Sequence, residues 1–272
     1  MPPTGNASTG QINTSAARIY DELFLPALFE QWPPHIVARS KMGREERVLD
    51  VACGTGVLAR AAAEQVGSDG WVTGVDINDA MLAVAAQRAP HIEWHKAPAE
   101  TLPFEAATFD RVVSQFGLMF FEDRVAAVRE MLRVLRPGGR LVVAVWSSID
   151  ESPGYADMAR LLARLFGADV ARALETPFCL GDPEQLRDIF LRAGAVDPSV
   201  ETLPGTCRFP SLETWVHTDI KGWTLAERVD GEQLDLLRRE ASAALAQYVR
   251  AEGNVEFPAP ARLVVVDKRP AW

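Results

Sequence analysis

Val48-Leu49-Asp50-Val51-Ala52-Cys53-Gly54-Thr55-Gly56-Val57-Leu58-Ala59-Arg60 decides the fold of this 272-residue chain. A short apolar run ends in Asp50, a glycine turn follows, and small and apolar residues then open a helix. Gly54 and Gly56 let the backbone turn sharply and let a ligand approach without a Cβ in the way. The helix that follows aims unpaired backbone N–H groups at whatever sits over the turn. Gly54, Gly56 and Ala59 also satisfy G-x-G-x-x-A, the spacing of a dinucleotide-binding turn, so glycine spacing alone leaves the ligand open.

Asp50 discriminates. It lies four residues before Gly54, where a carboxylate repels a pyrophosphate and attracts an amine or another cation. The run Asp50-Val51-Ala52-Cys53-Gly54-Thr55-Gly56 resembles the first motif, acidic-x-G-x-G-x-G, of the class I S-adenosylmethionine-dependent methyltransferases, with Ala52 in place of the first glycine. The resemblance implies S-adenosylmethionine as methyl donor, S-adenosylhomocysteine as product and no metal. It puts Asp50, Ala52, Gly54 and Gly56 at the donor. The fold it implies is a doubly wound, Rossmann-like, mostly parallel seven-stranded α/β sheet with helices on both faces.

Composition sets the outer bounds. A chain of this length with 48% hydrophobic residues can bury a full core as one domain with appended helices. Its net charge of −9 argues against nucleic acid or an anionic membrane surface as partner, which leaves a small molecule. Cys53, Cys179 and Cys207 are widely spaced and odd in number, which fits a reducing compartment without structural disulfides. The polar N-terminal segment lacks a signal-peptide pattern, and no run is long and apolar enough to span a bilayer. The expectation is a cytoplasmic monomer or homodimer without membrane insertion.

Along the chain, residues 1–11 read as a disordered tail and 12–43 as a helical N-terminal cap, broken at Pro26 and at Pro33-Pro34. Residues 44–149 read as the donor-binding core, with strands at 47–51, 71–76, 92–96, 109–114 and 140–146 and helices at 56–66, 79–88 and 123–135. That alternation argues for a parallel, doubly wound sheet. Asp123 can cap the last of these helices, and Pro137-Gly138-Gly139 ends it. Residues 150–178 and 209–256 read as helical lid insertions. Between them, 179–208 supply a core helix, opened by Asp182-Pro183, and a strand. Residues 257–272 carry the final strand, Arg262 to Asp267, near the sheet edge.

Asp76 ends the second strand 20 residues after Gly56, where an acidic side chain can hold ribose hydroxyls of NAD or of S-adenosylmethionine. The resemblance carries adenine contacts over to Ile77 and Met81, although Met81 also suits a core position behind a helix capped by Asn78 or Asp79. Lys96 to Phe104 resembles the G-D-A-x-x-L-P-F segment of the ubiquinone/menaquinone-biosynthesis subgroup (methyltransferase type 11), which the chain resembles over about residues 45–150. Pro98 stands where that subgroup has an aspartate. This leaves the Ala99 N–H for the adenine, with Glu100 as either a replacement acceptor or a solvated turn residue.

Phe109 to Phe121 looks like the fourth strand and its loop, which places Gln115 and Phe116 at the donor's methionine end. Within that loop, Leu118, Met119, Phe120 and Phe121 read as packing for the next helix in preference to donor contacts. By the same resemblance Tyr20 is a candidate cover for the donor's carboxylate.

Methyl transfer is an in-line displacement that needs acceptor atom, methyl carbon and sulfur held collinear in a dry pocket, and a base only for some acceptors. His217, on the lid, is the candidate base, with an exposed helix position as its bland alternative. Phe178, Phe209, Trp215 and Trp223 on the lid, with Trp146 and Phe116, point to a hydrophobic or aromatic acceptor, although such rings also build cores. The leading expectation is therefore a small-molecule methyltransferase. A quinone-pathway C-methyltransferase is its nearest alternative. An NAD-dependent oxidoreductase is disfavoured by Asp50 and by the lack of a Ser-Tyr-Lys constellation, and a non-catalytic donor-binding module is kept open by Ala52 and Pro98.

Overall fold

The computed structural model describes residues 14–221, 225 and 228–270. The expected tail at 1–11, the start of order near Ile12 and Trp223 lie outside them. Strands β1 (Arg47–Val51), β2 (Trp71–Asp76), β3 (Glu93–Lys96), β4 (Phe109–Gln115), β5 (Leu135–Trp146), β6 (Ser199–Leu203) and β9 (Ala261–Asp267) form one sheet in the order β3-β2-β1-β4-β5-β9-β6. The pairs β1·β2, β1·β4, β2·β3 and β4·β5 are parallel, and β9 runs antiparallel between β5 and β6.

The apolar run that ends at Asp50 becomes the central strand because both its edges pair and both its faces are covered. Val48, Leu49, Asp50 and Val51 are all fully buried. The chain winds outward from β1 through β2 to β3, then returns to start β4 on β1's other side. The crevice beyond the carboxyl ends of β1 and β4 is thus the switch point at which such sheets bind ligands.

Helices α3 (Val57–Val66), α4 (Asp79–Arg88), α5 (Arg124–Val134) and α8 (Pro183–Arg192) connect the strands. Their starts follow from local chemistry. Asp123 accepts from the Ala126 N–H, Asp182 accepts from the Glu184 and Gln185 N–H groups, and Asn78 does the same for Ala80 and Met81.

The N-terminal cap is α1 (Thr14–Ile19), a π-helix over Tyr20–Phe29, and α2 (Pro33–Ser40). The break expected at Pro26 does not occur, for Pro26 lies inside the π-helix. In the wider π turn a residue bonds to the fifth carbonyl back, as Glu30 N does to Leu25 O at 2.9 Å, which relieves the clash proline makes in an α-helix. Pro33 instead opens α2, where its missing N–H costs nothing.

The lid consists of α6 (Pro153–Phe166), α7 (Ala168–Glu175), α9 (Leu212–Lys221) and α10 (Gly231–Ala244), the last opened by a capping box between Asp230 and Gln233. The helical reading of the segment to 256 needs one correction. Val255–Pro258 is a strand, β8, paired antiparallel with β7 (Thr206–Phe209) in a separate two-stranded sheet. Its alternation decides this: Val255 and Phe257 face the core while Glu256 and Pro258 face out.

Candidate active site

A cavity of about 260 Å³ opens at the switch point. The residues that wall it include Tyr20, Ala52, Gly54, Asp76, Ile77, Met81, Ala99, Glu100, Gln115 and Phe116. The turn follows β1, β2 ends at Asp76, the segment after β3 supplies Ala97 to Glu100, β4 ends at Gln115 and is followed by Phe116, and the π-helix supplies Tyr20 and Phe29.

Asp76 is fixed by the turn it serves. One carboxylate oxygen accepts from the Gly54 N–H at 2.8 Å and the other from the Asn78 N–H at 2.9 Å. Burial raises its pKa, against the pull of those N–H donors. Gly54 sits at φ 54 with open space where a Cβ would point.

Asp50 lies beneath the same turn. It is wholly buried, and among the described residues neither of its carboxylate oxygens has a hydrogen-bond partner. Burial therefore pushes its carboxyl well above the usual range. An unpaired buried carboxyl costs free energy unless a donor or a cation reaches it.

Gly56 does not line the cavity. At φ 82 it caps α3, and a Cβ there would lie 2.5 Å from the Trp94 ring. Gly74 in β2 is under the same indole, with 2.4 Å to a built Cβ, and Trp94 Nε1 donates to the Ala89 carbonyl at 3.1 Å. Trp94 thus backs the ligand turn, a role the sequence reading missed. A glycine inside a strand was the available signal for such a close approach.

Glu100 is half-buried in the cavity wall, and its carboxylate accepts from the Glu122 N–H at 3.0 Å and the Asp123 N–H at 3.4 Å. It braces the loop after β4. Gln115 donates to the Phe29 carbonyl at 3.4 Å, while its side-chain oxygen is buried and unpartnered among the described residues. In that loop Leu118 and Met119 are core, whereas Phe120 and Phe121 reach the cavity.

Phe116 follows directly on β4 at φ 55, a conformation that bulky residues seldom adopt. Its ring stacks on Trp146 at 3.7 Å and 6°, and Phe29 packs on both. Trp146 faces away from the large cavity into a smaller one. Trp215 is fully buried against Phe257 and Phe209 and lines neither. His217 is half-buried on α9 and also lines neither, and burial with Arg238 and Lys221 lowers its pKa. No group of His, Cys, Asp and Glu that could hold a metal ion occurs among the described residues, and no helix there is long and apolar enough to cross a membrane.

Residues 48–139 match a methyltransferase-domain family. The demethylmenaquinone methyltransferase of Staphylococcus epidermidis is 33% identical over 203 residues, covering 68% of this chain and 84% of that protein. This chain is an S-adenosylmethionine-dependent methyltransferase. The ubiquinone/menaquinone biosynthesis C-methyltransferase of Xanthomonas campestris is 38% identical over 149 residues, covering 52% of this chain and 59% of that one. A solved structure of Haemonchus contortus phosphoethanolamine N-methyltransferase 2 with S-adenosyl-L-methionine superposes with a TM-score of 0.63 at 22% identity, covering 99% of this chain and 61% of that one, and speaks to the fold.

The methyltransferase's cavity fits its donor. S-adenosylmethionine presents two positive charges, two ribose hydroxyls and an adenine. Set against these in the wall are the Asp76 carboxylate and the apolar faces of Ile77, Met81 and Ala99, while the Asp50 carboxyl, unpartnered among the described residues, adjoins the wall residues Val51 and Ala52 without itself lining the cavity. The open side of Gly54 leaves room for close backbone approach.

Proposed function

We propose that this methyltransferase alkylates a small, apolar or aromatic acceptor on oxygen, carbon or nitrogen. The observation that carries the reading is the wall of the cavity. Tyr20, Phe29, Phe116, Phe120 and Phe121 contribute rings, and no Lys, Arg or His lines it among the described residues. A phosphorylated or strongly anionic acceptor would lack a counter-charge there. The acidic balance of the chain, −9, supports the same choice over nucleic acid, and the reading includes a cytoplasmic enzyme acting as a monomer or homodimer.

Bound donor would supply an electrophilic methyl group on a sulfonium. The chain's own residues then bind, orient and exclude water. In this reading Asp76 holds the ribose hydroxyls, Ile77 and Met81 sandwich the adenine, and the Ala99 N–H meets its ring edge. In the same reading Glu100 takes the adenine amino group with Oε2, the carboxylate oxygen that does not brace the loop. Asp50 answers the donor's ammonium, backbone N–H groups around Gly54 answer its carboxylate, and Tyr20, Gln115 and Phe116 close the methionine end. Aromatic faces favour the sulfonium charge, and a closed apolar pocket keeps the displacement dry and in line.

C-methylation of a quinone precursor is the more specific reading, favoured by the two relatives that act in menaquinone and ubiquinone formation. The test is incubation with methyl-labelled donor and extract of the source cells, followed by mass spectrometry. A labelled apolar or aromatic product is expected. A labelled phosphate ester or nucleic acid, or failure to bind S-adenosylhomocysteine, would overturn the proposal.

A further inference from the structure

Residues 97–108 connect β3 to β4 without regular secondary structure, and the first of them, Ala97 to Glu100, wall the donor cavity. Such a segment has no ladder to fix it, so its backbone groups must find partners elsewhere. At its start the Ala97 N–H donates to the Asp76 carbonyl at 3.2 Å. Beyond Glu100 the grip comes from two side chains of α5. Glu130 Oε2 accepts from the Leu102 N–H at 3.0 Å, while Arg133 donates to the Leu102 carbonyl through Nη2 at 3.1 Å and to the Phe104 carbonyl through Nη1 at 2.8 Å. The two side chains are also locked to each other. Arg133 Nε donates to Glu130 Oε1 at 2.6 Å and Nη2 to Oε2 at 2.8 Å, a two-pronged geometry that fixes direction as well as distance. Neither residue lines the cavity.

We infer that Glu130 and Arg133 are positioning residues for the donor's adenine, and that their ion pair, by seating the Ala97–Glu100 wall on α5, sets the preference for adenine over other purines. The inference rests on the adenine placement proposed above. The pair grips both backbone polar groups of Leu102, two residues beyond Glu100 and three beyond Ala99. Glu100 is itself seated on the start of the same helix, where Oε1 accepts from the Glu122 and Asp123 N–H groups. Pro98 gives this double seating its purpose. It offers neither a carboxylate nor an N–H, so polar recognition of the adenine falls to the Ala99 N–H and to Glu100 Oε2, whose places follow from where the segment sits. Hydrogen bonds weaken steeply as distance and angle drift, whereas apolar contact tolerates small shifts. Loss of the pair therefore acts first on discrimination. Leu102 is 4% exposed and the Phe104 ring packs edge-on against Phe109 at 5.0 Å, so these side chains keep the segment in the core when the pair is removed.

The test is calorimetric titration of the whole protein with S-adenosylhomocysteine and with S-inosylhomocysteine, in which a carbonyl replaces the adenine amino group. The wild type is expected to prefer the adenine ligand by about tenfold or more, since a site built around a hydrogen bond rejects the analogue that lacks it. Arg133→Met should bring the preference to within about threefold, chiefly by weakening S-adenosylhomocysteine, as loss of a well-aligned hydrogen bond does. Glu130→Gln, which keeps one acceptor oxygen at the same reach, should retain an intermediate preference, and it decides the matter where Arg133→Met does not fold. Val128→Ala, a buried position on the same helix, separates positioning from stability: it should lower the melting temperature and keep the wild-type preference. A full preference that survives in Arg133→Met, or in Glu130→Gln where that variant does not fold, would overturn the inference alone, as would loss of the preference in Val128→Ala. Equal binding of the two ligands by the wild type would overturn the adenine placement itself and the inference with it, so the two failures are told apart.

Discussion

Gly117 and Ala52 divide one space beside the donor turn, since a Cβ built on Gly117 would lie 2.4 Å from the Ala52 Cβ. Ala52 stands where the family motif carries a glycine, and it holds a left-handed φ of 57. The methyl group gained at the turn is accommodated by the one missing across the crevice. Gly117 itself has an ordinary φ of −100, so its constraint is steric.

Gly117→Ala is therefore expected to lower stability by about 1–3 kcal/mol through overpacking, and to weaken S-adenosylhomocysteine binding by displacing the turn. Ala52→Gly alone removes a left-handed strain of about 1–2 kcal/mol. The double variant Ala52→Gly/Gly117→Ala should recover the affinity lost in Gly117→Ala. Thermal unfolding and calorimetric titration of the four proteins check this. Additive losses would show that the two residues do not share the space.

Asp50 gives a pH-dependent prediction. Its folded carboxyl is raised above its unfolded value, so the folded state holds the proton more tightly. The apoprotein should lose stability as pH rises from about 4, the unfolded range, through the folded value. Asp76 shifts in the same direction and is retained in Asp50→Asn, so the difference between the two stability profiles reports Asp50 together with its coulombic coupling to Asp76. A ligand ammonium favours the carboxylate, so S-adenosylhomocysteine binding should release a proton in the wild type and not in Asp50→Asn. The variant should bind about tenfold or more weakly, the usual scale for a hydrogen bond to a charged group. Calorimetry in buffers of different ionisation enthalpy measures the proton, and equal proton release in both proteins would contradict the assignment.

What could be read from the sequence was what neighbouring residues decide among themselves. The β1 turn, the Asp123 and Asp182 caps and the Pro33 start each depend on residues within a few positions, and each stands where local chemistry puts it. What escaped depends on partners far along the chain. β8 is four residues whose strand character exists only against β7, about fifty positions earlier. Trp94 becomes the support of the turn only because Gly56 and Gly74 leave room for its indole. Ring counts pointed equally at Trp146 and Trp215; both are buried, and only the position of the empty space in the folded chain separates the one that walls a cavity from the one in the lid core.

Trp94 supplies the next expectation. Gly74→Ala should destabilise by about 1–3 kcal/mol, because a Cβ in a central strand meets the indole at 2.4 Å. Trp94→Leu should tolerate Gly74→Ala yet bind S-adenosylhomocysteine more weakly, since the turn loses its backing. Denaturant unfolding measures the first effect and titration the second. Equal destabilisation by Gly74→Ala in the wild-type and Trp94→Leu backgrounds would contradict the contact.

His217→Ala should leave kcat within about twofold of wild type, because the imidazole lines neither cavity. A loss of the 10²–10⁴-fold typical of a removed general base would place His217 back in the chemistry. The comparison needs only the labelled-product assay and a saturating donor concentration.

The cap is tied to the donor site by Asp21 and Arg88. Arg88 Nε donates to the Asp21 carboxylate at 2.9 Å, and Nη2 donates to the same oxygen. Asp21 is buried and follows Tyr20 in the π-helix, while Arg88 ends α4, the helix that carries Met81. Arg88→Met leaves a buried carboxylate without its cation, which is expected to cost about 3–5 kcal/mol if the cap stays docked. The cap should instead loosen, so that S-adenosylhomocysteine binds more weakly and limited proteolysis cuts earlier near Tyr20. Asp21→Asn added to Arg88→Met removes the stranded charge and should restore docking and affinity together. Restored stability without restored affinity would mean that the ion pair holds the cap but that the cap, and Tyr20 with it, does not hold the donor.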